Sequence, residues 1–310
     1  MTSRSVIVTG GCGFVGRQAV PRLISRGFEV HVLSRSGSGQ GSGDLQGARL
    51  HQVDLHDSER AVPLVRGIGA SHLLHLAWDT RHGIFWSSPE NLDWIVSSKL
   101  LVNAFIEGGG RRIVAAGTCA EYDWETGDER LVEGISKLQP ATLYGQCKLA
   151  ARKSLFTVAE HHKVSAAWGR IFFLFGPHEG TARLVSSASI SLLQGEPFPA
   201  SIGDQVRDFS FVGDVAEGFV ALLDSSVTGD VNIASGEPRS VASILGSLGK
   251  ITGRPELVQL GAKAKVANEP ATIVASVERL RREVGAASPP SIDQRLSETV
   301  DWWRHRLGLK

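Results

Sequence analysis

The chain has 310 residues, with 33 lysines and arginines against 32 acidic residues, so its formal net charge is +1. It is 42% hydrophobic, 21% charged and 7% aromatic, an ordinary globular composition that excludes wholesale disorder and a fibrous fold. Near-neutral charge gives no electrostatic basis for nucleic acid or an anionic membrane as partner, and no apolar run approaches the ~20 residues that span a bilayer.

In chain order, Val6-Ile7-Val8 predicts a buried strand over 4–9. Such a start is too short in its apolar part for a signal peptide, and the protein is expected in the cytoplasm. Gly10 to Gly16 breaks the strand, and Phe14, Val15, Ala19, Val20, Leu23 and Ile24 then recur at helical spacing. Gly27 ends that helix, and 28–33 is a second strand. Residues 36–43, all Ser, Gly and Gln, read as a flexible surface loop. A strand at about 49–53, a helix at about 57–66, a strand over 73–76, a helix at about 90–107 and a strand over 112–116 follow. This alternation predicts a doubly wound parallel sheet with helices on both faces, the Rossmann-type α/β class. A helix over about 142–162 and a strand over 164–168 extend it. Beyond residue 176 the pattern loosens. We expect a dinucleotide-binding domain over 1–170 and a smaller α/β substrate lobe over 171–310, with some segments returning to the first domain. Cys12, Cys119 and Cys147 form no CxxC pair and no zinc spacing, so no metal is expected.

The segment Gly10-Gly11-Cys12-Gly13-Phe14-Val15-Gly16 lies between the first strand and first helix. Glycines there make the tight turn, let the backbone reach a pyrophosphate, and let helix and strand pack closely, while the helix N-terminus offers free N–H groups. The second strand ends in Ser34-Arg35-Ser36, where NAD sites usually carry an acid for the ribose 2′-hydroxyl. A guanidinium at that point can pair with a 2′-phosphate, which predicts NADP(H) over NAD(H); the other possibility is a solvated loop arginine.

Tyr144-xxx-Lys148 puts a phenol and an ammonium on one helical face, in a chain with only two tyrosines. A phenol with a pKa near ~10 is a poor proton carrier at neutral pH, and a nearby ammonium is expected to lower that value. Thr118 follows the fifth strand at the carboxyl edge, where such sheets bind ligands, and its hydroxyl can hold a substrate oxygen or cap a helix. The segment Trp78-Asp79-Thr80-Arg81-His82-Gly83-Ile84-Phe85-Trp86 can wall a sugar pocket or pack as a surface loop.

Together the glycine loop, Val53-Asp54-Leu55, His75-Leu76-Ala77, Thr118 and Tyr144-xxx-Lys148 resemble an extended short-chain dehydrogenase/reductase of the NAD(P)-dependent epimerase/dehydratase group, which acts on nucleotide sugars. Arg170-Ile171-Phe172-Phe173-Leu174-Phe175-Gly176-Pro177, Arg207-Asp208-Phe209 with Val212-Gly213-Asp214-Val215, and Val231-Asn232-Ile233-Ala234-Ser235-Gly236 carry the likeness nearly end to end. The resemblance implies that Gly10, Gly13, Phe14, Val15, Ser34, Arg35 and Ser36 hold the coenzyme. It places Asp54 on the adenine and Leu55 beside it, Leu76 and Ala77 along the coenzyme path, and Phe172 against the nicotinamide. Tyr144 becomes the acid/base, Lys148 its tuning partner and ribose ligand, and Thr118 the holder of the substrate oxygen. Trp78, Asp79, Cys119 and Phe173 fall on the substrate side. Arg207, with Arg183 as a second candidate, would reach the substrate diphosphate; a structural salt bridge is the other possibility for Arg207. A homodimer through a four-helix bundle of the 90–107 and 143–161 helices is also implied.

Departures from the family pattern bear on the reaction. Sugar 4,6-dehydratases of the family carry Thr-Asp-Glu after the fifth strand, whereas this chain has Thr118-Cys119-Ala120, with Glu121 and Asp123 shifted. Dehydration is therefore disfavoured. Phe173 replaces an Asn that often contacts the sugar nucleotide. The expected function is NADPH-dependent reduction of a nucleotide-linked 4-keto-6-deoxy sugar, with a nucleotide-sugar epimerase holding NAD tightly as the alternative.

Overall fold

The computed structural model describes residues 4–36 and 45–309. In chain order it contains β1 (Ser5–Thr9), α1 (Gly16–Ser25), β2 (Glu29–Ser34), β3 (Arg49–Gln52), α2 (Ser58–Ile68), β4 (His72–His75), α3 (Glu90–Glu107), β5 (Arg112–Thr118), α4 (Leu143–His161), β6 (Ser165–Ile171), β7 (Phe173–Phe175), α5 (Leu184–Leu193), β8 (Phe198–Pro199), β9 (Val206–Phe211), α6 (Val212–Asp224), β10 (Gly229–Ile233), β11 (Pro238–Ser240), α7 (Val241–Thr252), β12 (Val258–Gln259), β13 (Thr272–Ile273), α8 (Glu278–Arg282) and α9 (Ile292–Arg306). The serine- and glycine-rich segment expected to be a surface loop lies, from residue 37 on, outside the described residues.

Seven strands form one sheet in the order β10-β6-β5-β4-β1-β2-β3, every neighbouring pair parallel. Continuous apolar runs such as Val6-Ile7-Val8 suit a sheet buried on both faces. On one face Val6, Val8, Leu74 and Val114 pack against α1 and α6 through Ala19, Leu23 and Phe219. On the other, Ile7, Leu73 and Ile113 pack against α2, α3 and α4 through Val65, Leu101 and Leu155. Each such side chain contributes about 1.5–3 kcal/mol on burial. Side chains set the helix starts: Asp57 accepts from the Arg60 amide and Thr142 from the Gly145 amide. Gly69, in the left-handed region with φ of 60°, ends α2.

The chain order reverses between β1 and β4, which opens a crevice at the carboxyl ends of the strands. A smaller sheet, β11-β9-β13 with β7 also on β9, sits with α5, α7 and α9 around a separate core that includes Phe175, Leu192, Leu245 and Leu296. β10 comes from this later part of the chain, yet it closes the edge of the large sheet beside β6.

Candidate active site

At the mouth of the crevice the chain turns from β1 into α1. Gly10 has φ of 70°, and a Cβ there would lie 2.8 Å from the Ala77 nitrogen and 2.9 Å from the Leu76 carbonyl carbon. A Cβ on Gly16 would fall 2.1 Å from the Gly10 oxygen, and one on Gly11 2.7 Å from Val32. The turn is therefore pressed against the end of β4 and against β2, and only glycine fits. Thr9 fastens the same corner: its carbonyl accepts from the Leu76 amide and its hydroxyl from the Ala77 amide. Among the described residues no acceptor faces the amides of Phe14 and Val15, just ahead of α1. Close-packed glycines with open amides at a helix N-terminus fit a dinucleotide pyrophosphate. At the end of β2, Ser34 donates to the Ser36 carbonyl, while Arg35 is exposed with no side-chain partner among the described residues. After β3, Asp54 accepts from the His56 amide at 3.0 Å, and Leu55 turns into the core.

Thr118 ends β5, and its hydroxyl accepts from the Ala120 amide at 3.2 Å. The Glu121 carboxylate reaches back to accept from the Thr118 amide at 2.9 Å, closing a reciprocal cap. The Tyr144 phenol, from the first turn of α4, lies beside the Thr118 side chain and is 7% exposed. Aromatic rings surround it: Phe85 at 4.9 Å, Trp86 at 5.8 Å and Trp78 at 6.4 Å between centroids, all edge-on. The Tyr144 amide also donates to the Trp86 carbonyl. The 78–86 segment is thus packed against the phenol, with Trp86 still partly exposed.

One expectation is corrected here. The pKa of Tyr144 is raised rather than lowered, and Lys148 is not among its main causes. Burial raises the phenol above its ordinary range, the Thr118 hydroxyl offsets part of that, and the negative potential of Glu121 adds to it. The Lys148 ammonium donates instead to the Ala116 carbonyl at 2.9 Å and lies 3.9 Å above the Trp78 ring. Burial lowers its own pKa to about 7, against the opposing pull of Glu121. Behind it, His75 is held between Thr9 Oγ1 at 2.7 Å and Ser98 Oγ at 2.9 Å. Burial, and secondarily the Lys148 charge, pushes that imidazole down to about 3, so it is neutral. A narrow cavity lined by His75, Ser98, Lys148, Ala151, Leu155 and Trp168 lies between the sheet and helices α3 and α4.

The acids near Thr118 are all engaged. Glu121 is fully buried and also accepts from Trp168 Nε1 at 2.9 Å and from Arg170 Nε at 2.8 Å. Asp123 pairs with Lys137 at 3.1 Å and accepts from the Glu125 amide. Burial pushes the Cys119 thiol up to about 12, so it stays protonated. The threonine–glutamate spacing that forms the cap is legible in the sequence as a helix-start signature. The partnership with Arg170, 49 residues on, is not.

On the substrate side, Phe172 packs at 6.5 Å from Tyr122 in a small core with Cys119. Phe173 stacks on Phe209 at 6.1 Å. Arg183 donates to the Thr80 carbonyl and lies 5.5 Å from the Phe85 ring, within electrostatic reach of Tyr144. Asp79 pairs with Arg81. Arg207 meets Glu269 at 2.9 Å and donates to the Val206 carbonyl at 2.8 Å, the salt bridge that was its other possibility.

A parallel sheet in this strand order, opened by a glycine turn at its switch point, defines a Rossmann-type dinucleotide-binding protein. The chain belongs to the NAD dependent epimerase/dehydratase family, whose model matches residues 6–234. A UDP-glucose 4-epimerase of Corynebacterium glutamicum is 27% identical over 302 residues, covering 90% of this chain and 89% of that protein. A dTDP-6-deoxy-L-talose 4-dehydrogenase (NAD(+)) of Aggregatibacter actinomycetemcomitans is 27% identical over 76% of this chain and 86% of its own length. Among solved structures, the Thermotoga maritima UDP-glucose 4-epimerase with UDP-glucose superposes with a TM-score of 0.89 at 22% identity, covering 98% of this chain and 99% of that one. The Thermus thermophilus UDP-glucose 4-epimerase complexed with NAD gives 0.84 at 24% identity, over 97% and 99%. Among the described residues no helix is long and apolar enough to cross a membrane, and no cluster of three metal-binding side chains occurs.

Proposed function

We propose that the chain is a nucleotide-sugar 4-epimerase that retains NAD, inverting the hydroxyl at C4 of a UDP-linked hexose. The state of the acids around Thr118 carries this reading. Tyr144, beside Thr118 at the crevice, is the group we assign to exchange a proton with a substrate oxygen. Glu121 is enclosed by its three donors, Asp123 is held by Lys137, and Cys119 keeps its proton. Epimerisation removes and returns a proton at a single oxygen, so one acid/base suffices. Elimination of water requires a second acid/base pair, which these residues do not supply. The names of the relatives agree: UDP-glucose 4-epimerases are among both the sequence and the structural matches.

In this reading the coenzyme's pyrophosphate lies on the 10–16 turn, with Asp54 at its adenine end and Leu76, Ala77 and Phe172 along its length. When bound, it supplies a hydride acceptor that returns the hydride. Thr118 holds the C4 oxygen, and the Tyr144 phenol takes and restores its proton. The Ala116 carbonyl and the Trp78 ring keep Lys148 at the base of the crevice. The rings of Trp78, Phe85 and Trp86 keep water from the phenol. Arg35 favours a second reading, NADPH-dependent reduction of a nucleotide-linked 4-keto-6-deoxy sugar, because an exposed guanidinium stands where an acid would bind the 2′-hydroxyl. We also take a second copy of the chain as partner in the cytoplasm, through a bundle of α3 and α4. Leu92 and Val96 on α3 are 53% and 59% exposed.

Purification followed by release and identification of the bound coenzyme tests the first reading. Retained NAD, with interconversion of UDP-glucose and UDP-galactose and no net coenzyme consumption, supports it. Protein that arrives without coenzyme and consumes NADPH in step with a 4-keto-6-deoxy sugar nucleotide replaces it with the second.

A further inference from the structure

Lys148 is 4% exposed, and an ammonium taken so far out of water needs negative partners. Its surroundings hold few. The Ala116 carbonyl accepts one of its three N–H bonds at 2.9 Å. Glu121 acts on it through space, but that carboxylate is taken up by the Thr118 amide, Trp168 Nε1 and Arg170 Nε. The other titratable groups around it add no negative charge. His75 on β4 is neutral, Lys99 on α3 lines the same cavity, and Tyr144 on its own helix keeps its proton. What remains is the π-face of Trp78, whose ring centroid is 3.9 Å from Nζ, with the Trp168 ring farther off at 5.9 Å.

Trp78 is fixed without help from Lys148. Its Nε1 donates to Asn91 Oδ1 at 2.8 Å. Asn91, in the first turn of α3 and buried, donates in turn to the carbonyls of Phe85 at 2.7 Å and Ser88 at 2.8 Å. Trp94, one turn further along α3, stacks on the Trp78 ring at 5.7 Å between centroids, and Tyr144 meets that ring edge-on. The indole is thus a rigid wall of the cavity that it shares with Lys148 and His75. The face of an aromatic ring carries negative potential, and its pull on a cation is strongest where water is absent.

We propose that Trp78 is a positioning residue that keeps Lys148 a cation at the floor of the crevice: its indole face supplies the negative potential that the carboxylates around the site do not. Without that face the desolvated ammonium gives up its proton at lower pH, for burial already draws its pKa down to about 7. With one N–H given to Ala116, the ammonium keeps two charge-assisted donors for oxygens in the crevice. A neutral amine is a weaker donor and projects no field. The consequence for turnover rests on the nucleotide-sugar reading; the charge of Lys148 does not.

Fluorination drains the π-face while nearly preserving its shape, so the test compares purified full-length protein carrying tryptophan, monofluorotryptophan or tetrafluorotryptophan at position 78, introduced through a reassigned codon. The readout is the ε-carbon NMR signal of Lys148 in lysine-labelled protein, assigned by its loss in Lys148→Met. We expect its titration midpoint to fall stepwise along the series, by about one pH unit in total, and the alkaline limb of kcat/KM for UDP-glucose to fall with it. Trp78→Phe, which keeps a weaker face and loses the Asn91 bond, should also lower the midpoint. A midpoint that stays constant along the fluorinated series, rises, or never comes into view between about pH 5 and 11 overturns the proposal. Turnover of UDP-glucose reports on the nucleotide-sugar reading separately. A stepwise midpoint without turnover keeps the role of Trp78 and removes the epimerase, and turnover with a constant midpoint does the reverse.

Discussion

Two sides of one crevice are built by different means. Around Gly10 to Gly16 the shape is set by backbone meeting backbone, at the Leu76–Ala77 corner and the Gly10 carbonyl. Around Thr118 and Arg207 it is set by side chains far apart in sequence: Glu121 with Trp168 and Arg170, and Arg207 with Glu269. A backbone surface accepts any ligand with the right phosphate spacing and changes only by losing a glycine. A side-chain surface is retuned by one substitution. On the proposed function, the difference says where specificity would reside: coenzyme binding in the turn, and reaction and substrate in a few charged pairs.

Substitutions sharpen this contrast, and the largest effect is expected at the phenol. Tyr144→Phe removes the one proton carrier and should lower kcat by about 10²–10⁴-fold. UDP affinity should be unchanged, as measured by calorimetry beside steady-state turnover. Near-wild-type turnover would sink the assigned chemistry. Next comes Glu121→Gln, which breaks the buried Glu121–Arg170 pair and leaves Arg170 with Asp230 as its one remaining counter-ion among the described residues. Breaking such a pair costs about 3–5 kcal/mol, read as a lower urea midpoint. A variant as stable as wild type would mean that the Thr118 corner does not depend on the pair. Gly16→Ala belongs to the other side. Its Cβ would overlap the Gly10 carbonyl, so we expect about 1–3 kcal/mol of destabilisation together with loss of retained coenzyme, visible in the absorbance of the purified protein.

A further effect shows only in acid. His75 is depressed to about 3 in the folded protein against an ordinary value of 6.5. The unfolded chain therefore takes up the proton first as pH falls. Stability from the neutral ring is complete above pH 6.5 and is lost on the way down to 3, at no more than about 1.4 kcal/mol per pH unit. His75→Asn should flatten that part of the urea-midpoint profile. An identical slope in the variant would show that other groups govern the acid limb.

The backbone-built side was the legible one. Alternating periodicity placed β1 to β6 and the helices between them within a few residues, because each element's pattern is local. The helix expected at about 90–107 is α3 over Glu90–Glu107. The glycine turn was legible because steric exclusion leaves only one residue type. Thr118, Tyr144 and Lys148 could be named from spacing, and the structure brings Thr118 and Tyr144 together. Their electrostatics could not be named. The fate of Lys148 depends on Ala116 and Trp78, 32 and 70 residues earlier. Nor could Glu269 be found as the partner of Arg207, since nothing in an exposed stretch 62 residues on signals where it returns to the sheet.

The position of β10 has an evolutionary consequence. That strand is donated by the later half of the chain and lies against β6, and from it Asp230 pairs with Arg152 and Arg170 while Asn232 accepts from the Tyr122 hydroxyl. A lineage cannot exchange the later half as a detachable cassette without also unzipping its neighbour's border and taking Asp230 from two arginines. New preferences in such a scaffold are therefore expected to arise by point changes and loop grafts rather than by shuffling whole modules.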